Sequence, residues 1–317
     1  MAELAGVLAA ILSSGLGGSS VAATRYLAAT VDPQTIGAFR FGGGALLLLP
    51  VALLQGRRWP ARGDWLGVVA LGLLFFGAFP ILFNASLAYT TAARGALALS
   101  TLPLLTMAAG ALLRVEPLTV RKTLGVLLSM AGVAIALVTG LSDAPPGAWR
   151  GDLLMVAAAL CMALYSVWSK PFIQRSDPIA FTAMGMAVGA AGLLLTSAIG
   201  NGFAVVATFD AGHWLAVGFL TLFGSALTFF LWAFALGRTT PTRVAISVTV
   251  NPIIAAILGA TLLGEPLRWN LMAGLVTVAL GIWIATTTRS RQSALPSAPT
   301  LARSTAIGDN PRSRSGA

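Results

Sequence analysis

The sequence predicts an all-α integral membrane protein of ten transmembrane helices, arranged as two inverted five-helix repeats. Three observations carry that expectation: a composition too apolar for a soluble domain, apolar runs of spanning length, and a stretch that the chain writes twice. Hydrophobic residues make up 57% of the chain and charged residues 9%, against about 25% charged in a typical soluble domain. Mean hydropathy is +0.86. Such a chain cannot cover itself with polar surface, and its continuous apolar runs favour helices over a barrel, whose strands would alternate. The net charge of +10 sits between the apolar runs and in the C-terminal tail. It therefore points to a membrane surface, and no nucleic-acid partner is expected. One cysteine, Cys161, and one histidine, His213, leave no disulfide framework and no clustered Cys/His metal site. No cofactor is expected.

The duplication runs from Leu87 to Ala136 and lands, after a shift of 149 positions, on Leu236 to Ala285. Thr90, Arg94, Pro103, Glu116, Pro117, Gly125 and Gly132 meet Thr239, Arg243, Pro252, Glu265, Pro266, Gly274 and Gly281 without a gap. Apolar composition alone does not produce matches at Arg, Glu, Pro and Gly, so one unit was duplicated.

A span needs about 20 apolar residues. The candidates are 4–24, 34–54, 65–87, 93–113, 120–140, 152–171, 178–200, 214–236, 243–263 and 268–288. The first is Gly/Ser-rich and is preceded only by Glu3, without the basic region of a signal peptide, so it is kept as a span. With the N-terminus inside, Arg25, Arg94, Arg150 and Arg268 fall outside and Arg40 falls within a span; the other fifteen of the 20 basic residues are cytoplasmic. Both termini are then expected in the cytoplasm of a bacterial inner membrane. Five spans per half invert the second half. The loops agree: Arg114, Arg121 and Lys122 become Leu263, Asn270 and Leu271, whereas Tyr89 becomes Arg238. Glu116 and Glu265 persist, each before a proline, and read as structural groups at helix starts. The expected organisation is 1–145 and 146–288 as the two repeats. A basic Ser/Arg/Pro/Ala tail over 289–317 is too poor in large apolar residues to fold.

These features resemble the drug/metabolite transporter superfamily, specifically the EamA-type exporters. The resemblance rests on Leu102-Pro103-Leu104-Leu105, its partner Asn251-Pro252-Ile253-Ile254, and Leu263-Gly264-Glu265-Pro266-Leu267, together with the glycines of the closing helices. It covers about residues 5–287. Val115-Glu116 departs from the family's Gly-Glu in the first half. The resemblance implies a secondary transporter exporting small metabolites, with amino acids, aromatic ones first in the manner of YddG-type exporters, or cationic drugs as cargo. It implies a small-molecule substrate in a lipid bilayer and is compatible with a monomer.

Inverted repeats place a substrate site near the midplane, between the halves. Pro103 and Pro252, both mid-span, free the carbonyls of Leu99 and Val248 and, with Pro80, read either as gating kinks or as static ones. Phe76, Pro80 and Asn84 share one face by spacing, and Ser100, Ser247 and Asn251 add polar groups at depth. Such groups face a wet cavity or bond neighbouring helices. Cys161, Tyr165 and Trp168 form one stripe, and Ser225, Phe229 and Trp232 another; they either pack or offer flat walls to rings and cations. Trp59, Trp65, Trp149, Trp214 and Trp269, at span ends, read as interfacial anchors. Arg40 either holds a substrate carboxylate or snorkels to the interface. The Gly15 to Gly18 run and the Gly185/Gly189 pair read as close helix packing.

No mid-span Asp or Glu offers a proton relay, and no P-loop offers ATP. A membrane enzyme would gather carboxylates, histidines or metal ligands at one face, and the ten acidic residues are scattered. A pore or structural membrane protein is the remaining class, against which the paired prolines argue.

Overall fold

Two Asp-Pro pairs show how local chemistry sets the frame. Asp32 accepts hydrogen bonds from the backbone N–H of Gln34 at 3.0 Å and of Thr35 at 2.9 Å. Asp177 accepts from that of Ile179 at 2.9 Å. A side-chain cap followed by proline in the first turn satisfies orphan donors and presets φ, so a helix starts at each. The two starts lie 145 positions apart, at 32 and 177.

The computed structural model describes residues 2–28, 30–87, 89–90, 98–137, 146–251, 253–254 and 269–286. Pro252, Glu265, Pro266 and the tail lie outside them, as do Arg94 and Arg268. The described helices are α1 (Ala2–Ala28), α2 (Pro33–Leu54), α3 (Trp65–Gly72), α4 (Phe79–Leu87), α5 (Leu102–Leu112), α6 (Val120–Leu137), α7 (Ala148–Arg175), α8 (Pro178–Ile199), α9 (Ala211–Thr221), α10 (Thr228–Arg238), α11 (Pro241–Ser247) and α12 (Trp269–Thr286). No strand occurs among the described residues. Among the described residues, six helical runs are long and apolar enough to cross a membrane: Ala2–Ser20, Pro33–Leu54, Arg62–Ser86, Ala148–Arg175, Pro178–Ile199 and Ala211–Arg238. The fourth and ninth candidate spans are described only in part.

Helices α3 and α4 are joined by a π-helical segment, Leu73–Ala78, and α9 and α10 by another, Leu222–Leu227. These segments lie 149 positions apart. In the first, Pro80 has no N–H for the carbonyl four residues back, at Phe76. In the second, position 229 is Phe, so proline is not the cause. There the Thr228 hydroxyl donates to the Phe223 carbonyl at 2.6 Å, and Arg40 bonds the Gly224 carbonyl. Both carbonyls are thus satisfied despite the altered ladder.

Small residues let backbones meet, the usual way helices pack where lipid removes the hydrophobic drive. A Cβ on Gly125 would lie 2.7 Å from the Gly281 carbonyl, and one on Gly132 2.9 Å from the Gly274 carbonyl. An early position in α6 meets a late one in α12 and the reverse, so the two helices run antiparallel. The same sense holds for α2 and α8, where Gly37 faces Leu193 and Gly44 faces Met186. Helix α1 packs on α10, with Gly6 near the Ala235 carbonyl, and α7 packs on α4, with Gly151 against the Ser86 carbonyl. The second contact is the first shifted by 145 and 149 positions. Gly185 and Gly189 fit against Gly72 and Phe76, and Gly17 and Gly18 against Asn251, so both glycine groups do pack closely; Gly15 meets nothing.

Several expectations are redrawn. Glu116 does not serve its own helix, since α6 starts only at Val120. Its carboxylate instead caps α11: Oε2 accepts from the Thr242 N–H at 3.2 Å and the Thr242 hydroxyl at 3.0 Å. Oε1 accepts from Lys122 Nζ at 2.5 Å. His213 sits in the first turn of α9. Pro103 opens α5 instead of kinking a continuous helix, because Ser100 and Thr101 form a turn just before it. The positions matching 99–101 after the 149 shift, Val248–Val250, are a 3-10 turn. The backbone irregularity therefore recurs at the same place. Trp65, Trp149, Trp214 and Trp269 are exposed near helix starts.

Candidate functional site

The largest aromatic assembly lies where both π segments meet α2 and α7. Phe41, Phe75, Phe76, Tyr165 and Phe229 are all buried. Tyr165 stacks on Phe75 at 4.2 Å between centroids. Phe76 meets Phe229 edge-on at 5.3 Å, and Phe41 meets Phe76 at 5.5 Å. Each such pair adds about 0.5–1.5 kcal/mol beyond burial, so the rings form a rigid wall.

Arg40 stands at this wall. Its Nε and Nη2 donate to the Gly224 carbonyl at 3.1 and 2.6 Å. Its guanidinium carbon lies 5.3 Å from the Phe41 ring centroid and 5.9 Å from that of Phe229, close enough for cation–π attraction. Gly37 and Gly44, three before and four after, share its helix face and are both buried. Arg40 therefore points into the protein and does not snorkel.

Of the sequence-derived candidates, Phe76, Tyr165, Phe229 and Arg40 come together here. Ser225 joins them: a Cβ on Gly44 would be 2.5 Å from its hydroxyl. Trp232, one turn beyond Phe229, is buried, with its indole N–H unpaired. Ser247 and Asn251 form a second group, against α1. The Ser247 hydroxyl lies 2.8 Å from that of Ser14 and donates to the Ala10 carbonyl at 3.0 Å, and the Asn251 amide oxygen has no partner among the described residues. Pro80 is buried at the start of α4, and Ser100 is buried before α5.

Two candidates separate from the cluster. Asn84 donates from Nδ2 to the Pro33 carbonyl at 3.5 Å, at the start of α2. That is seven residues, or about 10 Å of helix, from Arg40, and it is a helix–helix contact. Trp168 is 43% exposed, on the outward stripe of α7 with Leu153 and Leu160, while Tyr165 three residues earlier is 2% exposed. The stripe expected from spacing is split by the helix's own rotation.

Phe41, Phe75 and Gly224 were not singled out by sequence. Phe41 follows the one charge inside a span and Phe75 precedes a selected residue, so adjacency was the available signal. At one end of the bundle a polar cluster ties elements together. Besides Glu116, Lys122 and Thr242, Lys170 donates to the Thr239 carbonyl at 2.6 Å. Arg243 pairs with Glu3 and donates to the Ala285 carbonyl at 3.3 Å. At another, His213 Nδ1 lies 2.6 Å from Asp210 Oδ1, its ring stacked on Phe209 at 5.1 Å. The His213 backbone N–H and ring hold the exposed Asp210 carboxyl below its ordinary pKa.

A family model described as the EamA-like transporter family matches twice, over residues 4–138 and 149–287. The "Uncharacterized protein PA1977" of Pseudomonas aeruginosa is 33% identical over 257 residues, 80% of this chain and 83% of that protein. An "Uncharacterized transporter" of Archaeoglobus fulgidus is 30% identical over 262 residues, covering 81% and 88%. The "Uncharacterized transporter YyaM" of Bacillus subtilis is 24% identical over 272 residues, covering 84% and 89%. A solved crystal structure shares the fold with a TM-score of 0.72 at 21% identity, covering 90% of this chain and 96% of that one. The duplicated sequence, the apolar helices and the twofold match converge: this is a multi-pass membrane protein, and the chain belongs to the EamA-like transporter family.

Proposed function

We propose that the protein is a secondary transporter of the bacterial inner membrane that exports amino acids or similar small metabolites, aromatic ones first, by alternating access. In this reading residues 1–145 and 146–288 are inverted five-helix repeats, both termini are cytoplasmic and the aromatic cluster is the cargo wall. The single observation that supports it most is the pairing of α6 with α12. These helices correspond after the 149 shift yet run antiparallel, with Gly125 against Gly281 and Gly132 against Gly274. Equivalent helices that oppose one another are related by an axis across them, which lies in the membrane plane. Rocking of the halves about that axis separates Glu116 from Thr242, so this tie belongs to one of two states. Two of the three relatives' names carry the word transporter, without a cargo, and the aromatic preference is drawn from the ring wall and the YddG-type resemblance.

The test is uptake by proteoliposomes without an ion gradient, using labelled tryptophan, phenylalanine, threonine and a cationic dye. Saturable uptake of the aromatic pair supports the reading. Folded protein that carries none of the amino acids, even with a proton gradient, refutes the amino-acid cargo.

A further inference from the structure

The geometry points to Arg40 as the ligand for a carboxylate on the transported molecule, which makes the cargo an organic acid or amino acid with a flat apolar body and excludes plain cations. This inference rests on the proposed transport function and narrows its substrate class.

Arginine has five N–H donors and stays charged in proteins. Arg40 uses the edge formed by Nε and Nη2 on one neutral acceptor, the Gly224 carbonyl. The end edge, carrying Nη1 and the second Nη2 hydrogen, is left, and Nη1 has no partner among the described residues. No carboxylate pairs with Arg40 among them either, and part of the side chain remains accessible. A cation held inside the apolar part of a membrane protein without a counter-charge is costly. The unused edge matches a carboxylate in the two-bond geometry that guanidinium favours. Beside it the rings of Phe41 and Phe229 are apolar and flat, and among the described residues the Ser225 hydroxyl has only the Met186 sulfur, at 4.0 Å, as partner.

The competing explanation is that Arg40 exists to hold the π segment. The 145-position shift that relates Asp32-Pro33 to Asp177-Pro178 takes Arg40 to Gly185. Gly185 faces the other π segment, Leu73–Ala78, with the Phe76 ring filling the side-chain position at 3.3 Å from a Cβ built there. That segment persists with no cation at the equivalent site. That segment has Pro80, which the one at Leu222–Leu227 lacks, so Arg40 does support the Gly224 carbonyl; it does so with one edge of the guanidinium, and the edge carrying Nη1 is left for a carboxylate. The pair of sites is also polarised. Arg40 and Ser225 stand on one side, Gly185 and Phe76 at the corresponding places on the other. Such a site orients a molecule with one acidic end and one apolar end.

The experiment compares three probes on full-length protein in proteoliposomes: labelled phenylalanine, with 3-phenylpropionate (carboxylate only) and 2-phenylethylamine (ammonium only) as competitors. Expected is competition by phenylpropionate and at least tenfold weaker competition by phenylethylamine. Arg40→Gln should abolish the difference between the competitors, and Arg40→Lys should keep part of it. If Arg40→Gln fails to fold, the competitor ranking on the unaltered protein and the Lys variant still decide. Saturable phenylalanine uptake with equal competition by both analogues, or unchanged selectivity in Arg40→Gln, overturns the inference and leaves the transport reading standing. Stronger competition by phenylethylamine than by phenylpropionate overturns it in favour of cationic cargo. Absence of uptake for every probe overturns the transport of aromatic compounds, and this inference with it.

Discussion

Replacing Glu116 with Gln removes the charge at the centre of the end cluster, and its cost follows from the partners it leaves. The Glu116 side chain is 4% exposed and that of Lys122 is 10% exposed. One carboxylate oxygen holds Lys122 at 2.5 Å, and the other takes two donors of Thr242 at the start of α11. Breaking a buried pair from one side strands the other charge and costs about 3–5 kcal/mol. Thr242→Val removes one hydrogen bond to a charged group, about 1.5–3 kcal/mol, and leaves the pair intact. The Glu116→Gln/Lys122→Met double variant should be less destabilised than Glu116→Gln alone, because the orphaned ammonium is gone. Thermal or denaturant unfolding in detergent or nanodiscs, read by tryptophan fluorescence, gives the three numbers. The Thr242→Val effect should also shrink in the Glu116→Gln background, since the two residues share an interaction. If Glu116→Gln costs under about 1 kcal/mol, or if all three changes add independently, the tie between the loop at 116 and α11 is not what holds this end.

The remaining expectations concern packing, pH and the outer face. Gly132→Leu forces side-chain atoms toward the Val278 N–H and the Gly274 carbonyl, where even a Cβ would sit 2.8 and 2.9 Å away; overpacking there should lower stability by about 1–3 kcal/mol or more. Gly218→Ala, in helix α9 with nothing within 4 Å of a new Cβ, should instead raise it by about 0.5–1 kcal/mol. Asp210 has its pKa lowered by the His213 backbone N–H first and the ring second. A carboxylate depressed on folding stabilises above its unfolded pKa and loses that contribution as pH falls through the folded value. The loss therefore falls below about pH 4 and should be flattened in Asp210→Asn, measured by unfolding across pH. Trp168→Ala should leave uptake unchanged, while Tyr165→Ala, which opens the ring wall, should impair it; the reverse order would show that α7 is rotated from the face described.

Helix positions were legible because composition and span length are local signals, and the duplication exposed the relation between halves. What was not legible involves distance or rotation. Glu116 looked like the start of its own helix because Pro117 follows, but its Oε2 serves Thr242, 126 positions on. The π segment at Leu222–Leu227 has no proline to announce it; its carbonyls are satisfied by Thr228 from within and Arg40 from α2. Spacing put Tyr165 and Trp168 on one stripe, although a half-turn of tolerance suffices to send one inward and one outward. Arg40 was ambiguous between the interface and the interior. Gly37 and Gly44, placed at helical spacing on either side of it, were the sequence trace of a closely packed face, where Leu193 and Ser225 press against them.

The central claim is that two halves of the chain move between two states, with the tie at Glu116 and Thr242 made in one of them. The most direct measurement places spin labels at Leu118 and Arg238, both exposed, in a Cys161→Ser background, and records their distance distribution in nanodiscs with and without phenylalanine. The account predicts two populations whose proportions shift with ligand, and a further shift toward the separated state in Glu116→Gln. A single distance that neither ligand nor that substitution moves would contradict it.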